Sequence, residues 1–233
     1  MSALKFQCIE DTRCPKNYLL FWAKSSKIYK TLFMIYQPPG LVLLKLANTC
    51  NMSCTYCYWF NDVSVYEKSK LIRKEVLDSF YEKLRRHISR HKLSRFSVVL
   101  HGGEPLLAGK RRVEEILDQL NRIQIELGMK VKAYIQTNGL LLDDEWLDIL
   151  KSFNVEIGLS IDGPEEIHDL YRRDLRGRPT FHKILRSIRL MQDRNIPFGI
   201  LSVCNPAISA EAFCRYFIDD LGVNILDFLI PNV

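Results

Sequence analysis

Short apolar segments and amphipathic segments take turns along most of the chain, and that alternation restricts the fold more than any other feature. Six runs, at 41–46, 96–101, 131–137, 155–160, 198–203 and 225–230, are short, β-rich and almost continuously apolar. Strands of that kind belong to a sheet covered by helices. Five segments between them, at 71–91, 111–127, 144–152, 181–194 and 210–221, carry apolar residues at helical spacing, as Ile72, Val76, Phe80 and Leu84 do in the first. The alternation predicts parallel βα units rather than a sandwich or a helical bundle. Six such units predict an α/β fold, a partial (β/α)6 barrel of the TIM type with parallel strands and outer helices, over residues 41–233. Residues 1–40 read as an N-terminal extension. Its aromatic patches, Tyr18-Leu19-Leu20-Phe21-Trp22 and 29–36, suit a covering flap, an accessory element or a docking surface for a substrate peptide.

Parallel α/β folds gather ligands at the carboxyl ends of their strands, and the chemistry-bearing residues of this chain cluster there. Directly after the first strand come three cysteines, Cys50-x3-Cys54-x2-Cys57. Three thiolates do not close a structural zinc site, which takes four protein ligands. Held by three cysteines, a 4Fe-4S cluster keeps one iron open for chemistry. Cys8, Cys14, Cys204 and Cys214 lack this spacing and read as free thiols. With no secretory leader at the N-terminus, the cysteines point to a reducing, cytoplasmic setting and a metal role rather than disulfides.

The second strand runs into His101-Gly102-Gly103-Glu104-Pro105, where two glycines let a ligand approach the backbone and Glu104 offers an acceptor for an ammonium group. The third strand ends in Gln136-Thr137-Asn138-Gly139 and the fourth in Ser160-Ile161-Asp162-Gly163-Pro164. Their hydroxyl and amide groups suit the ribose or carboxylate of a nucleotide-like ligand, while Asn138-Gly139 also suits a plain turn and Asp162-Gly163-Pro164 a helix stop.

The cysteine segment as a whole, Asn48-Thr49-Cys50-Asn51-Met52-Ser53-Cys54-Thr55-Tyr56-Cys57-Tyr58-Trp59, resembles the radical S-adenosylmethionine (SAM) enzymes. The likeness is to their peptide- and protein-modifying branch, which includes anaerobic sulfatase maturases and ribosomal-peptide maturases. Gly102-Gly103-Glu104, Ser160-x-Asp162-Gly163 and His168-Asp169-x-x-Arg172 are similar to that branch as well. The resemblance implies that Cys50, Cys54 and Cys57 ligate a 4Fe-4S cluster and that Gly102, Gly103 and Glu104 bind the amino group of SAM. It further implies that Tyr56 and Gln136 take part in holding SAM, and that Ser160 and Arg172 contact its ribose or carboxylate, the arginine through a charge-assisted fork. Val233, just past the sixth strand, is the expected neighbour of the adenine. Tyr56, Tyr58 and Trp59 are expected to pack around the cluster, and Thr180 to cap the helix that begins at Phe181.

By the same resemblance, the cofactors are a 4Fe-4S cluster and SAM. One electron from the reduced cluster would cleave the sulfonium to give a 5'-deoxyadenosyl radical, which would abstract hydrogen from a side chain of a peptide or protein substrate. A reducing electron donor such as flavodoxin or ferredoxin is the implied second partner, and no general base or other catalytic side chain is identified. Two other readings stay open: an activase for a glycyl-radical enzyme, and a non-catalytic module stabilised by a bound metal. The resemblance also implies a cysteine-rich C-terminal domain with further clusters. The chain stops after its sixth strand, which suits either a truncated form or a minimal enzyme. A net charge of +6, spread along the chain, does not call for nucleic acid, and no apolar run of about 20 residues offers a membrane span.

Overall fold

The computed structural model describes residues 38–57, 59, 70–206 and 208–230. Within them, β1 (Leu41–Ala47), β2 (Arg95–Gly102), β3 (Lys130–Thr137), β4 (Glu156–Ser160), β5 (Phe198–Val203) and β6 (Leu226–Leu229) form one sheet in sequence order. Every neighbouring pair is parallel. β1 and β6 are the two edges, so the sheet stays open. Helices α1 (Lys74–His91), α2 (Lys110–Leu127), α3 (Asp144–Ser152), α4 (Glu165–Tyr171), α5 (Phe181–Asp193) and α6 (Ala210–Arg215) make the crossovers. The α/β partial barrel is therefore the architecture found. No described helix is long and apolar enough to cross a membrane.

Burial along the strands alternates. Phe96, Val98 and Leu100 of β2 sink into a core shared with Ile135, Ile157 and Leu159 and with Leu117, Leu147 and Ile184 of the helices. Each such side chain contributes about 1.5–3 kcal/mol by leaving water. Among the described residues no helical layer covers the other face, and Leu41 and Leu43 on it are 53% and 54% exposed. Near-continuous apolarity in the first strand thus does not mean burial on both faces, because an open sheet buries only the side its helices cover.

Two local expectations are corrected. α1 begins at Lys74 and buries Leu77, Tyr81, Leu84 and Ile88, while Val76 is 44% exposed and Ile72 lies ahead of the helix, its N–H donating to Leu46 O at 2.8 Å. The apolar stripe follows i, i+4, i+7, i+11 from Leu77 and shares only Leu84 with the stripe read in the sequence. α4 is a helix that periodicity did not reveal, because seven residues are too few for a 3.6-residue repeat to register. It starts just after Asp162-Gly163-Pro164, with Gly163 at φ +124 and Pro164 at the N-cap.

Candidate functional site

The loop after β1 carries Cys50, Cys54 and Cys57, all free thiols and all half-buried. Its backbone is tied down on two sides. Towards β2, Gly103 N donates to Ala47 O (2.8 Å) and Glu104 N to Thr49 O (2.9 Å). Towards the segment after α4, Ser53 N donates to Arg173 O (2.8 Å), Thr55 N to Tyr171 O (3.0 Å), and Met52 bridges to Asp174. Met52 is fully buried, so the loop has a core residue of its own at its midpoint.

The thiols are mutual neighbours: Cys54 raises the pKa of Cys50, and Cys57 raises that of Cys54. Burial is the larger cause at both, pushing Cys50 up to about 12. Two N–H groups already point at the Cys50 sulfur, Met52 N at 3.4 Å and Asn138 Nδ2 at 3.5 Å. Among the described residues no three His, Cys, Asp or Glu side chains converge on a single ion.

Gly102 and Gly103 serve the loop itself. A methyl on Gly102, which sits at φ +144, would lie 3.0 Å from Ala47 N, and one on Gly103 would lie 2.6 Å from Thr49 C. The direction a side chain would take from either glycine is filled by the protein's own backbone, which needs glycine here to bring the cysteine loop against β2. Glu104 is buried, with Oε1 accepting from Leu106 N (3.0 Å) and Thr137 Oγ1 (2.7 Å) and Oε2 from Asn138 N (2.8 Å). A carboxylate offers about four lone-pair sites, so three are in use. Burial raises its pKa to about 6, against the pull of those donors and of Arg172.

At the ends of β3 and β4, Gln136 Nε2 donates to Ser160 Oγ at 3.0 Å, so the two are brought together. Gly158 makes room for this, since a methyl there would come within 3.1 Å of Gln136 Cδ. Gln136 and Gly158 also line a cavity of about 570 Å³ that runs along the sheet past Tyr134, Leu201 and Ile225. That cavity reaches Phe198 and Ile196 at the amino end of β5, away from the cysteines, and of its lining only Gln136 belongs to a motif read in the sequence.

Two residues past β4, Asp162 is buried and gathers three elements. It accepts from the Tyr56 hydroxyl of the cysteine loop and, through Oδ1, from Val203 N of β5 at 3.1 Å. Arg172 Nη1 donates to the same Tyr56 oxygen at 2.8 Å and lies 3.8 Å from Asp162 Oδ1. Burial disfavours the charged guanidinium, but Asp162, Cys54 and Tyr56 outweigh it and hold the pKa of Arg172 above its usual value. Its Nε is buried with no hydrogen-bond partner among the described residues. Behind it, His168 is buried and kept neutral, lowered to about 3 by burial and then by Arg172. His168 accepts from Asp162 N (3.3 Å) and meets Thr180 Oγ1 (3.1 Å).

Thr180 departs from its expected role. Its hydroxyl donates to Arg172 O at 2.6 Å, and the cap of α5 comes from Asp169, whose Oδ1 accepts from Thr180 N (2.8 Å) and Phe181 N (3.1 Å). A hydroxyl already committed to a buried carbonyl cannot also serve the helix end. Trp59 packs by Lys45, whose ammonium lies 3.9 Å from the ring centroid, and its Nε1 donates to Asn48 O. Cys204 and Cys214 are free thiols. Val233, Tyr58, Cys8 and Cys14 lie outside the described residues.

The structure thus brings Cys50, Cys54, Tyr56, Glu104 and Arg172 into one neighbourhood at the carboxyl ends of β1 to β4. Asp162 and Asn138 belong to it as well, although the sequence assigned neither of them a ligand-binding role of its own. The signal for them was weak: a short polar side chain beside a glycine at a strand end.

The sequence model of the Radical SAM superfamily matches residues 44–215. The cysteine-type anaerobic sulfatase-maturating enzyme of Clostridium perfringens (strain 13 / Type A) is 35% identical over 185 residues, covering 77% of this chain and 49% of that enzyme. The serine-type anaerobic sulfatase-maturating enzyme of Bacteroides thetaiotaomicron is 30% identical over 181 residues, covering 76% of this chain and 40% of its own. Among solved structures, native anSMEcpe with bound AdoMet and Cp18Cys peptide superposes with a TM-score of 0.72 at 30% identity, over 84% of this chain and 51% of that one. The fold alone recurs in Streptococcus suis SuiB, at 15% identity and a TM-score of 0.63. The chain spans half or less of the length of these curated relatives.

Proposed function

The chain belongs to the Radical SAM superfamily, and from that premise we propose that it binds a 4Fe-4S cluster and SAM and acts on a side chain of a peptide or protein. The observation that carries this reading is the setting of the three thiols. Beside them stand a buried carboxylate, Glu104, and a buried guanidinium, Arg172, close enough to influence one another. A group of each sign next to a cysteine trio suits the amino acid end of SAM, which carries one ammonium and one carboxylate. The relatives point to the substrate class: the two curated enzymes named above are sulfatase-maturating enzymes, and anSMEcpe has been solved with AdoMet and a peptide bound.

The residues present fit the cluster. The N–H groups of Met52 and Asn138 at the Cys50 sulfur would stabilise its thiolate, as hydrogen bonds to sulfur do in iron–sulfur sites. When bound, the reduced cluster supplies the electron that cleaves SAM to methionine and the 5'-deoxyadenosyl radical.

The rest falls to this chain. Arg172 would hold the SAM carboxylate through Nε, which is buried with no hydrogen-bond partner among the described residues. Glu104 would turn its remaining acceptor site to the ammonium, and the Gln136–Ser160 pair would present a hydroxyl and an amide to the ribose. Tyr56, anchored by Asp162 and Arg172, would keep the cysteine loop from shifting as SAM enters.

Anaerobic loading tests the proposal. The chain is expected to take up about four iron and four sulfide, and the spectrum of the reduced cluster should change when SAM is added. Cys54→Ala should abolish both effects, and Cys204→Ala should abolish neither. Zinc as the sole metal taken up, or equal loss in both variants, would overturn the reading.

A further inference from the structure

We propose that the exposed cationic loop beside the cysteine segment, 173–179, together with the first turns of α5, is the docking surface for a small acidic protein that carries one electron. The inference rests on the cluster proposed above. The loop is built rigidly. Arg173 and Pro179 bridge its base, Asp174 N donates to Arg178 O (3.0 Å), Gly177 N to Asp174 O (2.9 Å), and Arg173 Nη1 to Gly177 O (2.9 Å). Asp174 is buried inside it, accepting from Arg176 N, Arg178 N and Arg178 Nε.

With its carboxylate turned inward, the loop shows cations outward. Between 173 and 186 stand Arg173, Arg176, Arg178, Lys183 and Arg186, all exposed, and Asp174 is the only acidic residue of the stretch. Arg176 and Arg186 form no ion pair among the described residues. Leu175, 66% exposed, gives the patch an apolar centre. A ring of like charge around a small apolar contact suits a transient encounter, in which opposite charge steers approach and little area is buried.

Location selects the class of partner. The backbone of this loop is what Ser53 N and Met52 bond to, so the patch borders the segment that carries Cys50 and Cys54. The proposed reaction consumes one electron per SAM cleaved, and transfer between proteins weakens steeply with separation, so a donor must dock next to the cysteines. In the transfer itself, the reduced cofactor of the carrier loses one electron and the cluster gains one, with no bond made and no proton moved. Matching the cations requires an acidic face on the carrier.

Reduced flavodoxin, an acidic flavin protein, is the probe, and dithionite is the control reductant, too small to need a docking surface. Binding of flavodoxin to the cluster-loaded chain is measured by fluorescence anisotropy at rising salt, and SAM cleavage is followed with each reductant. The wild-type chain should bind more weakly as salt rises, and Arg176→Glu/Lys183→Glu should weaken binding and flavodoxin-driven cleavage by about tenfold. Dithionite-driven cleavage should be unchanged in that variant. Binding indifferent to the double charge reversal, binding indifferent to salt, or equal loss with both reductants would overturn the assignment. A wild-type chain that cleaves no SAM with dithionite would count against the proposed function, while the binding measurement would still decide the docking surface.

Discussion

Arg172 and Asp162, both buried, face one another at 3.8 Å across the Tyr56 hydroxyl, which hydrogen-bonds to each. Through that bridge a charge pair set up after β4 anchors the cysteine loop set up after β1.

Removing one member of the pair tests the anchor. Asp162→Asn leaves the buried guanidinium without its counter-charge and should cost about 3–5 kcal/mol. Tyr56→Phe removes a hydroxyl but keeps both charges and should cost about 1–3 kcal/mol. Urea unfolding of the cluster-free chain measures both, and a smaller loss for Asp162→Asn than for Tyr56→Phe would show that the pair is not the anchor.

Two glycines that both lack room for a methyl should respond differently to alanine. Gly103→Ala drives its methyl into the backbone at Thr49 and Cys50, which cannot move without dislodging the loop, and should cost about 3 kcal/mol or more. Gly158→Ala meets only the end of the Gln136 side chain, which can swing away, for about 1 kcal/mol. Thermal midpoints of the two variants check the order.

The acid limb of stability should report Asp174. The N–H of Arg178 is the main cause holding its carboxyl down at about 2, with Arg176 N–H and the Arg178 guanidinium assisting and burial opposing. A carboxyl whose folded pKa lies below its usual 3.8 stabilises the fold above that value, and the contribution is lost as pH falls from about 4 towards 2. Urea midpoints should drop across that window in the wild-type chain and flatten in Asp174→Asn.

SAM affinity should depend on the β4 hydroxyl. Ser160→Ala removes one hydrogen-bonding group, worth about 0.5–1.5 kcal/mol, and should weaken SAM binding to the loaded chain by about two- to tenfold. Equilibrium dialysis with labelled SAM reads it, with Cys204→Ala expected to match the wild type.

Much of this site is written locally. The spacing of Cys50, Cys54 and Cys57 and the polar ends of β3 and β4 are short-range patterns, visible because each motif sits in one turn of chain. What the glycines accommodate is different in kind: the atoms that crowd Gly102 and Gly103 belong to residues more than fifty positions earlier. Asp162 likewise looks like a turn former until the Tyr56 hydroxyl, 106 residues away, is found on it. Thr180 was expected to cap a helix by the same local logic, and a backbone carbonyl eight residues back claimed its hydroxyl instead.

By itself the sequence determined the alternation that makes a parallel sheet and the trio of thiols at the end of its first strand, because periodicity and spacing act over a few residues. Only the tertiary structure decided which polar groups lose water and which partners replace it. Burial is a property of the whole assembly of strands and helices, so the placement of Arg172 between Cys54 and Asp162, and of Asp174 inside a cationic loop, could emerge only once distant segments had packed together.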